Sequence, residues 1–201
     1  MEIFENLNND HIKFIKEQKV FFVATAVADG RINLSPKGLD SLRVLNDNRI
    51  VWLNLTGSGN ETSAHIQEYS RMTIMMNAFE GKPLILRIYG NAKVIHHLDN
   101  EWSDLIDLFP YSEGSRQIFD LSISSVQTSC GWAVPEYKFI KERNILDKSN
   151  KAAGEKGIKK YWKKANTNSI DGIKTNIIEK NIGKSFLSSI SFNKKEKTKK
   201  Q

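Results

Sequence analysis

The sequence predicts a mainly β protein, an antiparallel barrel or sandwich of six or seven strands with a few helices. Two observations lead to this fold class. Short runs rich in β-branched and aromatic residues recur between positions 20 and 129, and turn-forming Gly, Pro, Asn and Asp separate them. The runs also follow one another without the strand–helix alternation of a βαβ fold, which disfavours a Rossmann domain.

The elements follow from local patterns. Residues 10–18 form the first predicted helix, because apolar residues recur there at helical spacing, with Asp10 as its candidate N-cap. The strand after it, over 20–27, ends at Asp29-Gly30, a strong signal for a β-hairpin. The remaining strands are expected over 32–35, 42–45, 50–55, 71–79, 84–95 and 117–129, and further helices over 61–69, 102–109 and 157–165.

Positive charge is concentrated near the C-terminal end of the chain. The formal net charge is +7, but residues 1–145 carry −3 and residues 146–201 carry +10. Composition therefore predicts three parts. These are a barrel domain over 1–145, a helical extension over 146–180 that packs on the barrel, and a basic tail over 181–201 that is expected to be disordered.

Other sequence features predict a soluble, cytoplasmic protein. Cys130 is the only cysteine, which excludes an intramolecular disulfide. No apolar run approaches the ~20 residues that a membrane-spanning helix needs. The first residues are acidic and polar, unlike a secretory signal. The four histidines lack the spacing of a metal site.

The segment from Trp52 to Ser63 is the most informative for function. A predicted strand runs into small, hydroxyl-bearing residues and then into a helix start, an arrangement that aims backbone N–H groups and hydroxyls at one spot and is typical of phosphate binding. It is not a P-loop, because no Gly-Lys-Ser/Thr follows. The alternative is an ordinary Gly/Ser turn with Asn60 or Ser58 as N-cap.

Two basic residues are further candidates. Lys37 lies beside Gly38, which permits close backbone approach, and could pair with a phosphate or a flavin carbonyl. The alternative is a surface lysine in a turn. Arg87 stands inside the apolar run 83–90, where it needs either a partner or a solvent-exposed strand face.

The order of these features resembles the pyridoxamine 5′-phosphate oxidase-like flavoproteins, within the group of related FMN-binding proteins. The resemblance is carried by the Asp29-Gly30 hairpin, by Asn33-Leu34-Ser35-Pro36-Lys37-Gly38, by the stretch 52–62 and by the Leu-Arg-Ile-Tyr-Gly strand. Segments 127–135, 157–162 and 168–172 are similar to the same group, so the resemblance spans roughly residues 1–175.

The resemblance implies a split β-barrel that forms a homodimer with FMN in grooves at the dimer interface. It implies that Arg87 neighbours the flavin and that Trp132 approaches it from the partner subunit. The remaining positions that match flavin or phosphate contacts are Ser35, Lys37, Gly38, Thr56, Gly57, Ser58, Asn60, Glu61 and Thr62.

The sequence departs from the authentic oxidase at three motifs. Pro36-Lys37-Gly38-Leu39 replaces its Arg-rich phosphate motif, and Gly59-Asn60-Glu61-Thr62 holds no basic residue where the oxidase has a basic run. The C-terminal Trp and Arg motif of the oxidase is not recognisable in this sequence. A substrate other than pyridoxamine phosphate is therefore expected.

Three functions remain open on sequence grounds. The first is an FMN-dependent oxidoreductase acting on an unidentified small molecule, with NAD(P)H as a candidate electron donor. The second is a non-catalytic flavin- or haem-binding carrier or sensor with the same fold. The third is a polyanion-binding protein that uses the basic tail, which is disfavoured because no aromatic residues interleave with the terminal lysines.

Overall fold

One antiparallel sheet of eight strands organises residues 1–183, the part of the chain that the computed structural model describes. The predicted basic tail lies outside these residues from position 184 onward. The strands are β1 Glu2–Phe4, β2 Phe21–Thr25, β3 Asn33–Lys37, β4 Leu42–Asn46, β5 Arg49–Leu55, β6 Arg71–Asn77, β7 Ile85–Ile95 and β8 Ser115–Ser129, and the helices are α1 Asn9–Glu17, α2 Glu61–Glu68, α3 Trp102–Ile106, α4 Ile145–Ala165 and α5 Ile177–Asn181.

The sheet has the strand order β3-β2-β6-β7-β8-β5-β4, and β1 pairs with β8 beside this path. Every pairing is antiparallel. The mainly β, antiparallel fold class predicted from the sequence is confirmed, as is a C-terminal helix. The sequence did not predict β1, whose three residues carry no strand pattern of their own and pair with residues more than a hundred positions away.

The two ends of the sheet approach each other, which makes it a split barrel. The N–H of Leu53 donates a 2.9 Å hydrogen bond to the carbonyl of Ser41, which continues the β4–β5 pairing one residue beyond Leu42 and Trp52. The ammonium of Lys37, in β3, lies 5.1 Å from the ring centre of Trp52, in β5. Since β3 is the first strand of the order and β5 the last but one, the contact between Lys37 and Trp52 brings the two ends of the sheet together.

The core forms where the inner faces of the strands meet. Because side chains alternate across a strand, residues in register on neighbouring strands share one face. Val23, Ile74, Ile88 and Val126 form such a row over four strands, and all four are buried. Burying β-branched side chains of this size stabilises the fold by about 1.5–3 kcal/mol each.

The N-cap of the first helix lies two residues earlier than predicted. Asn8, rather than Asp10, is the N-cap of α1, because its side chain accepts a hydrogen bond from the N–H of His11. The imidazole of His11 accepts from the N–H of Asn8 in return, which completes a capping box. The predicted cap at Asp10 was therefore wrong, and Asp10 lies in the first helical turn.

Residues 145–183 form an extension that contains α4 and α5. Helix α4 is broken at Gly154, where φ is 58°, and the predicted helix 157–165 is its second half. Ile158 and Trp162 of α4 pack with Ile177 and Ile178 in a small apolar cluster. Across residues 1–183 we find no helix long and apolar enough to cross a bilayer.

Candidate functional site

A groove of about 680 Å³ opens between the C-terminal end of β3, strand β5 and the chain that leads into α4. This volume is within the ~300–1,000 Å³ of small-molecule and cofactor sites. Its wall combines apolar side chains with three lysines, one arginine and one carboxylate, that of Glu142. The lining residues are Lys19, Val20, Pro36, Lys37, Gly38, Leu39, Ser41, Trp52, Leu53, Asn54, Leu55, Thr56, Gly57, Lys141, Glu142, Arg143 and Leu146.

Lys37 projects from the inner face of β3, which it shares with Ser35 because strand side chains alternate. Its ammonium lies over the buried Trp52 ring, a cation–π arrangement. No carboxylate within residues 1–183 forms an ion pair with it. Burial, and then the nearby charge of Arg116, lower the pKa of Lys37 to about 8. The hydroxyl of Ser35 is buried and has no hydrogen-bond partner among the described residues.

Arg116, near the start of β8, is the second cation of the site and is only 3% exposed. Its Nη1 donates to the carbonyl of Gly59 at 2.9 Å and, at a longer 3.4 Å, to that of Gly57. It also donates to the side-chain oxygen of Asn166 at 2.8 Å. Burial lowers the pKa of Arg116, yet a guanidinium stays charged at neutral pH. All three partners are neutral, so no carboxylate within residues 1–183 compensates the positive charge.

Arg116 sets the direction of the peptides in the loop between β5 and α2. The carbonyls of Gly57 and Gly59 point towards its guanidinium. In a planar trans peptide the C=O and the following N–H point in opposite directions, and no peptide bond in the described part of the chain is cis. The N–H groups of Ser58 and Asn60 therefore point away from Arg116, and the loop can offer them to an anion on its other side.

The side chains of the same loop bind within the protein. The hydroxyl of Thr56 donates to the carbonyl of Gly114 at 3.0 Å and accepts from Nε1 of Trp162 at 2.9 Å. The amide of Asn60 donates to the carbonyl of Asn166 at 3.3 Å. Asn60 occupies the N-cap position of α2 without a side-chain capping bond. The backbone of this loop is thus better placed to bind a ligand than the hydroxyl of Thr56.

The neighbouring candidates at the start of α2 are also engaged. The carboxylate of Glu61 accepts from the N–H of Ile170, at 3.0 Å for Oε2. The hydroxyl of Thr62 accepts from the side-chain amide of Asn33 at 3.0 Å. Ser58, at the tip of the loop, is exposed. These contacts tie the loop and the helix start to β3 and to the extension.

Arg87 and Trp132 do not join this group within one chain. The register places Arg87 in a row with Met75, Phe22 and Pro36, on the face of the sheet opposite to Lys37. Its guanidinium donates to the hydroxyl of Ser129 at 3.2 Å. Trp132 follows β8 and is 82% exposed. Of the sequence-predicted residues, Lys37, Gly38, Thr56 and Gly57 line the groove.

The sequence analysis missed three residues that hold the loop. Arg116 gives a weaker signal than Arg87, because it stands directly before the predicted strand 117–129 and follows polar residues rather than lying inside an apolar run. Asn166 and Trp162 give no local signal, because their contacts with Thr56 and Gly57 span more than a hundred positions.

Comparison with known proteins agrees with the resemblance seen in the motifs. A family model for pyridoxamine 5′-phosphate oxidase matches residues 7–130, which is more than half of the chain. The chain belongs to the pyridoxamine 5′-phosphate oxidase family. The matched residues include Lys37 and Arg116, whereas Trp162 and Asn166 lie beyond them.

One curated relative also matches the chain. A pyridoxamine 5′-phosphate oxidase family protein of Aspergillus flavus, named ustO, is 35% identical over 137 residues, which cover 66% of this chain. They cover 55% of that relative, so the chain spans about half of its length.

Among solved structures, a Lactobacillus delbrueckii protein provisionally named pyridoxamine 5′-phosphate oxidase has a TM-score of 0.50 at 21% identity, over 62% of this chain and 95% of that one. At this identity the likeness shows the fold. A FAD-binding protein from Mesorhizobium loti is a more distant likeness, with a TM-score of 0.43 at 15% identity, over 64% of this chain and 97% of that one.

Proposed function

We propose that this member of the pyridoxamine 5′-phosphate oxidase family is a flavoprotein that binds FMN in the groove beside Lys37. One observation carries the proposal. Lys37 and Arg116 are two cations close enough for the charge of one to lower the pKa of the other, and within residues 1–183 neither has a carboxylate partner. Such a pair is costly unless an anion joins it, and the phosphate of FMN is an anion of suitable size and charge.

The residues present fit a phosphate ester. The side chain of Lys37 would bind phosphate oxygens directly, and the loop N–H groups of Ser58 and Asn60 would donate to them from the start of α2. Arg116 lies behind the loop and would contribute charge without leaving its buried position. The unpaired hydroxyl of Ser35 lies on the same strand face as Lys37. The apolar wall of the groove suits a planar aromatic ring system.

FMN, when bound, supplies hydride transfer to or from a substrate. The chain itself binds, orients and shields. Lys37 holds the phosphate end, Arg116 fixes the loop, and the leucines of the groove wall exclude water. The departures at Pro36–Leu39 and Gly59–Thr62 argue for a small-molecule substrate other than pyridoxamine phosphate, with NAD(P)H as the candidate electron donor.

A homodimer belongs to the same proposal. Arg87 and Trp132 lie away from the groove of their own chain, so they would reach a flavin only if a second copy supplied them. Ile32 and Leu34 of the β2–β3 hairpin are exposed apolar residues that a second copy would cover. We place the protein in the cytoplasm, where reduced nicotinamide cofactors are available.

The haem alternative has less support from the groove. A haem iron needs an axial His, Cys, Met or Tyr. The side chains that line this groove within the described part of the chain include none of these. The remaining alternative, a non-catalytic flavin carrier, differs from the oxidoreductase only in turnover.

The test begins with purified protein and added FMN. We expect the protein to quench FMN fluorescence at a stoichiometry of one FMN per chain, with a size in solution of two chains. Bound FMN that NADPH or NADH reduces supports an oxidoreductase, while bound FMN that neither reduces, with no turnover, assigns a carrier. A colourless protein that leaves FMN fluorescence unchanged contradicts the proposal.

Binding of a polyanion that survives deletion of residues 186–201 would dismiss a role for the basic tail.

A further inference from the structure

The extension over residues 145–183 contacts the loop between β5 and α2 from behind. Nε1 of Trp162, in α4, donates a 2.9 Å hydrogen bond to the hydroxyl of Thr56. Both residues are buried. Because the Thr56 hydroxyl donates to the carbonyl of Gly114, the indole is tied through it to the start of β8. Trp162 thus fixes the first residue of the loop.

Asn166, directly after α4, makes the larger set of contacts and is fully buried. Its side-chain oxygen accepts from Nη1 of Arg116 at 2.8 Å, and its side-chain amide donates to the carbonyl of Gly57 at 3.0 Å. Its main-chain carbonyl accepts from the amide of Asn60 at 3.3 Å. It also accepts from the hydroxyl of Thr175 at 2.6 Å, which holds Asn166 itself in place. One residue therefore binds both ends of the loop and the cation beneath it.

These contacts act on the part of the loop that would face a phosphate. Asn166 and Arg116 both hydrogen-bond the carbonyl of Gly57. Fixing this carbonyl also fixes the N–H of Ser58, which belongs to the same peptide and points the other way. The extension therefore controls the orientation of a donor that it does not cover.

We propose that Asn166 and Trp162 are positioning residues that determine how well the site recognises a phosphate group, acting through Arg116 and the Gly57–Asn60 loop. The proposal rests on the FMN site proposed above. It assigns a binding role to the extension, which lies beyond the residues matched to the family. Neither residue would contact the cofactor.

Comparison of FMN with riboflavin separates this role from general stability, because the two differ only in the phosphate. The probes are FMN and riboflavin, titrated against the full chain by fluorescence quenching. We expect Asn166→Ala to lower the FMN-to-riboflavin affinity ratio at least tenfold, since it removes two hydrogen bonds and frees the loop. Trp162→Phe removes the indole N–H but keeps an aromatic ring in the apolar cluster, so we expect a drop of about 2- to 13-fold.

Asn168→Ala is the matched control, because Asn168 is an exposed asparagine of the same segment, and it should leave the ratio unchanged. If either Asn166→Ala or Trp162→Phe folds and keeps the wild-type ratio, the proposal is overturned, whatever happens to thermal stability. If Asn166→Ala does not fold, Trp162→Phe decides. A wild-type protein that binds FMN no better than riboflavin overturns the phosphate site itself, and with it the proposed function.

Discussion

The guanidinium of Arg116 donates a 2.8 Å hydrogen bond to the side-chain oxygen of Asn166, fifty positions further along the chain. The bond joins a barrel strand to the C-terminal extension and leaves the charge of Arg116 with neutral partners. A hydrogen bond to an amide satisfies a donor without cancelling its charge. The loop above this pair therefore lies in a positive field that an anion would experience.

Replacing Lys37 with Met should weaken FMN binding and leave riboflavin binding nearly unchanged. A charge-assisted hydrogen bond to phosphate is worth about 1.5–3 kcal/mol, which corresponds to roughly a 10- to 150-fold loss of FMN affinity. The substitution also removes a partly buried cation beside Arg116, so the ligand-free protein should be at least as stable as the wild type. Fluorescence titration and urea unfolding measure the two effects.

Lys82→Met is the control for Lys37→Met. Lys82 is an exposed lysine in the turn before β7, so its loss removes the same formal charge at a distance from the groove. An equal loss of FMN affinity in both variants would mean that the change in net charge alone causes it, and would contradict a direct role for Lys37.

FMN affinity should fall as the pH rises through about 8. Burial and the charge of Arg116 lower the pKa of Lys37 from 10.5 to about 8, so the free protein loses this cation above pH 8, whereas a bound phosphate would keep it protonated. The expected loss is roughly tenfold per pH unit between pH 8 and 9.5. Riboflavin affinity should stay flat, and so should FMN affinity in Lys37→Met. A pH profile that is identical in Lys37→Met and wild type would contradict this.

The titration of Lys37 should have the opposite effect on the stability of the ligand-free protein, which should increase as the pH rises. Between pH 8 and 10.5 the unfolded chain binds a proton at Lys37 that the folded chain has lost, so the contribution of this residue to stability rises with pH. Across this pH range, the free energy of unfolding of the ligand-free wild type should therefore rise relative to that of Lys37→Met. Urea unfolding of both proteins at pH 7.5 and pH 10 measures the difference.

The strands of this fold could be predicted because their signals are local. Strand β7 was expected over 84–95 and runs over Ile85–Ile95, since its alternation and the preceding Gly81-Lys82-Pro83 turn lie within a few residues of each other. Strand β1 could not be predicted in this way, because only its pairing with β8 makes three residues into a strand.

In the candidate site, too, residues with local signals could be predicted and residues that act through long-range contacts could not. Lys37 and the loop after β5 were identified from neighbouring glycines and from a resemblance. The hydroxyl of Thr56 was expected to face a phosphate because of its residue type, yet it bonds Trp162, which lies 106 positions away. Arg116 and Asn166 matter through contacts that only the fold creates. The sequence could indicate which segment is a candidate for binding, but not which atoms of it are free to do so.

Gly114→Ala should destabilise the protein by about 1–3 kcal/mol, the usual cost of forcing extra atoms into a packed site. A Cβ at position 114 would lie 2.0 Å from Nδ2 of Asn150 in α4, so the extension or the start of β8 must move. The carbonyl of Gly114 also accepts a hydrogen bond from the hydroxyl of Thr56. The strain would therefore lie next to the loop between β5 and α2. Urea unfolding compares the variant with the wild type.

Shortening Asn150 should relieve that strain. Its Nδ2 has no hydrogen-bond partner within the described residues, so Asn150→Ala alone should cost little beyond lost packing. We expect the double variant, Gly114→Ala with Asn150→Ala, to be more stable than Gly114→Ala. Strictly additive losses in the double variant would mean that the two side chains do not meet.

Stability should fall as the pH drops from about 6.5 to 4, and His97 should be a main cause. Its ring packs between Trp102 and Trp162, at centroid distances of 4.2 and 5.5 Å. Its Nε2 lies 3.1 Å from the carbonyl of Ser115, and because a carbonyl only accepts, Nε2 carries the proton of the neutral ring. Burial, the largest cause, lowers the pKa of His97 from 6.5 to about 4.

Between these two pH values the unfolded chain binds a proton at His97 and the folded chain does not. Acidification therefore lowers the free energy of unfolding by up to roughly 3 kcal/mol. His97→Gln keeps a donor for Ser115 and removes the titration. Urea unfolding at pH 7 and pH 4.5 should therefore show a smaller loss of unfolding free energy in His97→Gln than in the wild type. Burial also lowers the pKa of neighbouring His96, so part of the acid sensitivity should persist in the variant. Equal losses in the two proteins would show that protonation of His97 does not cause the loss of stability in acid.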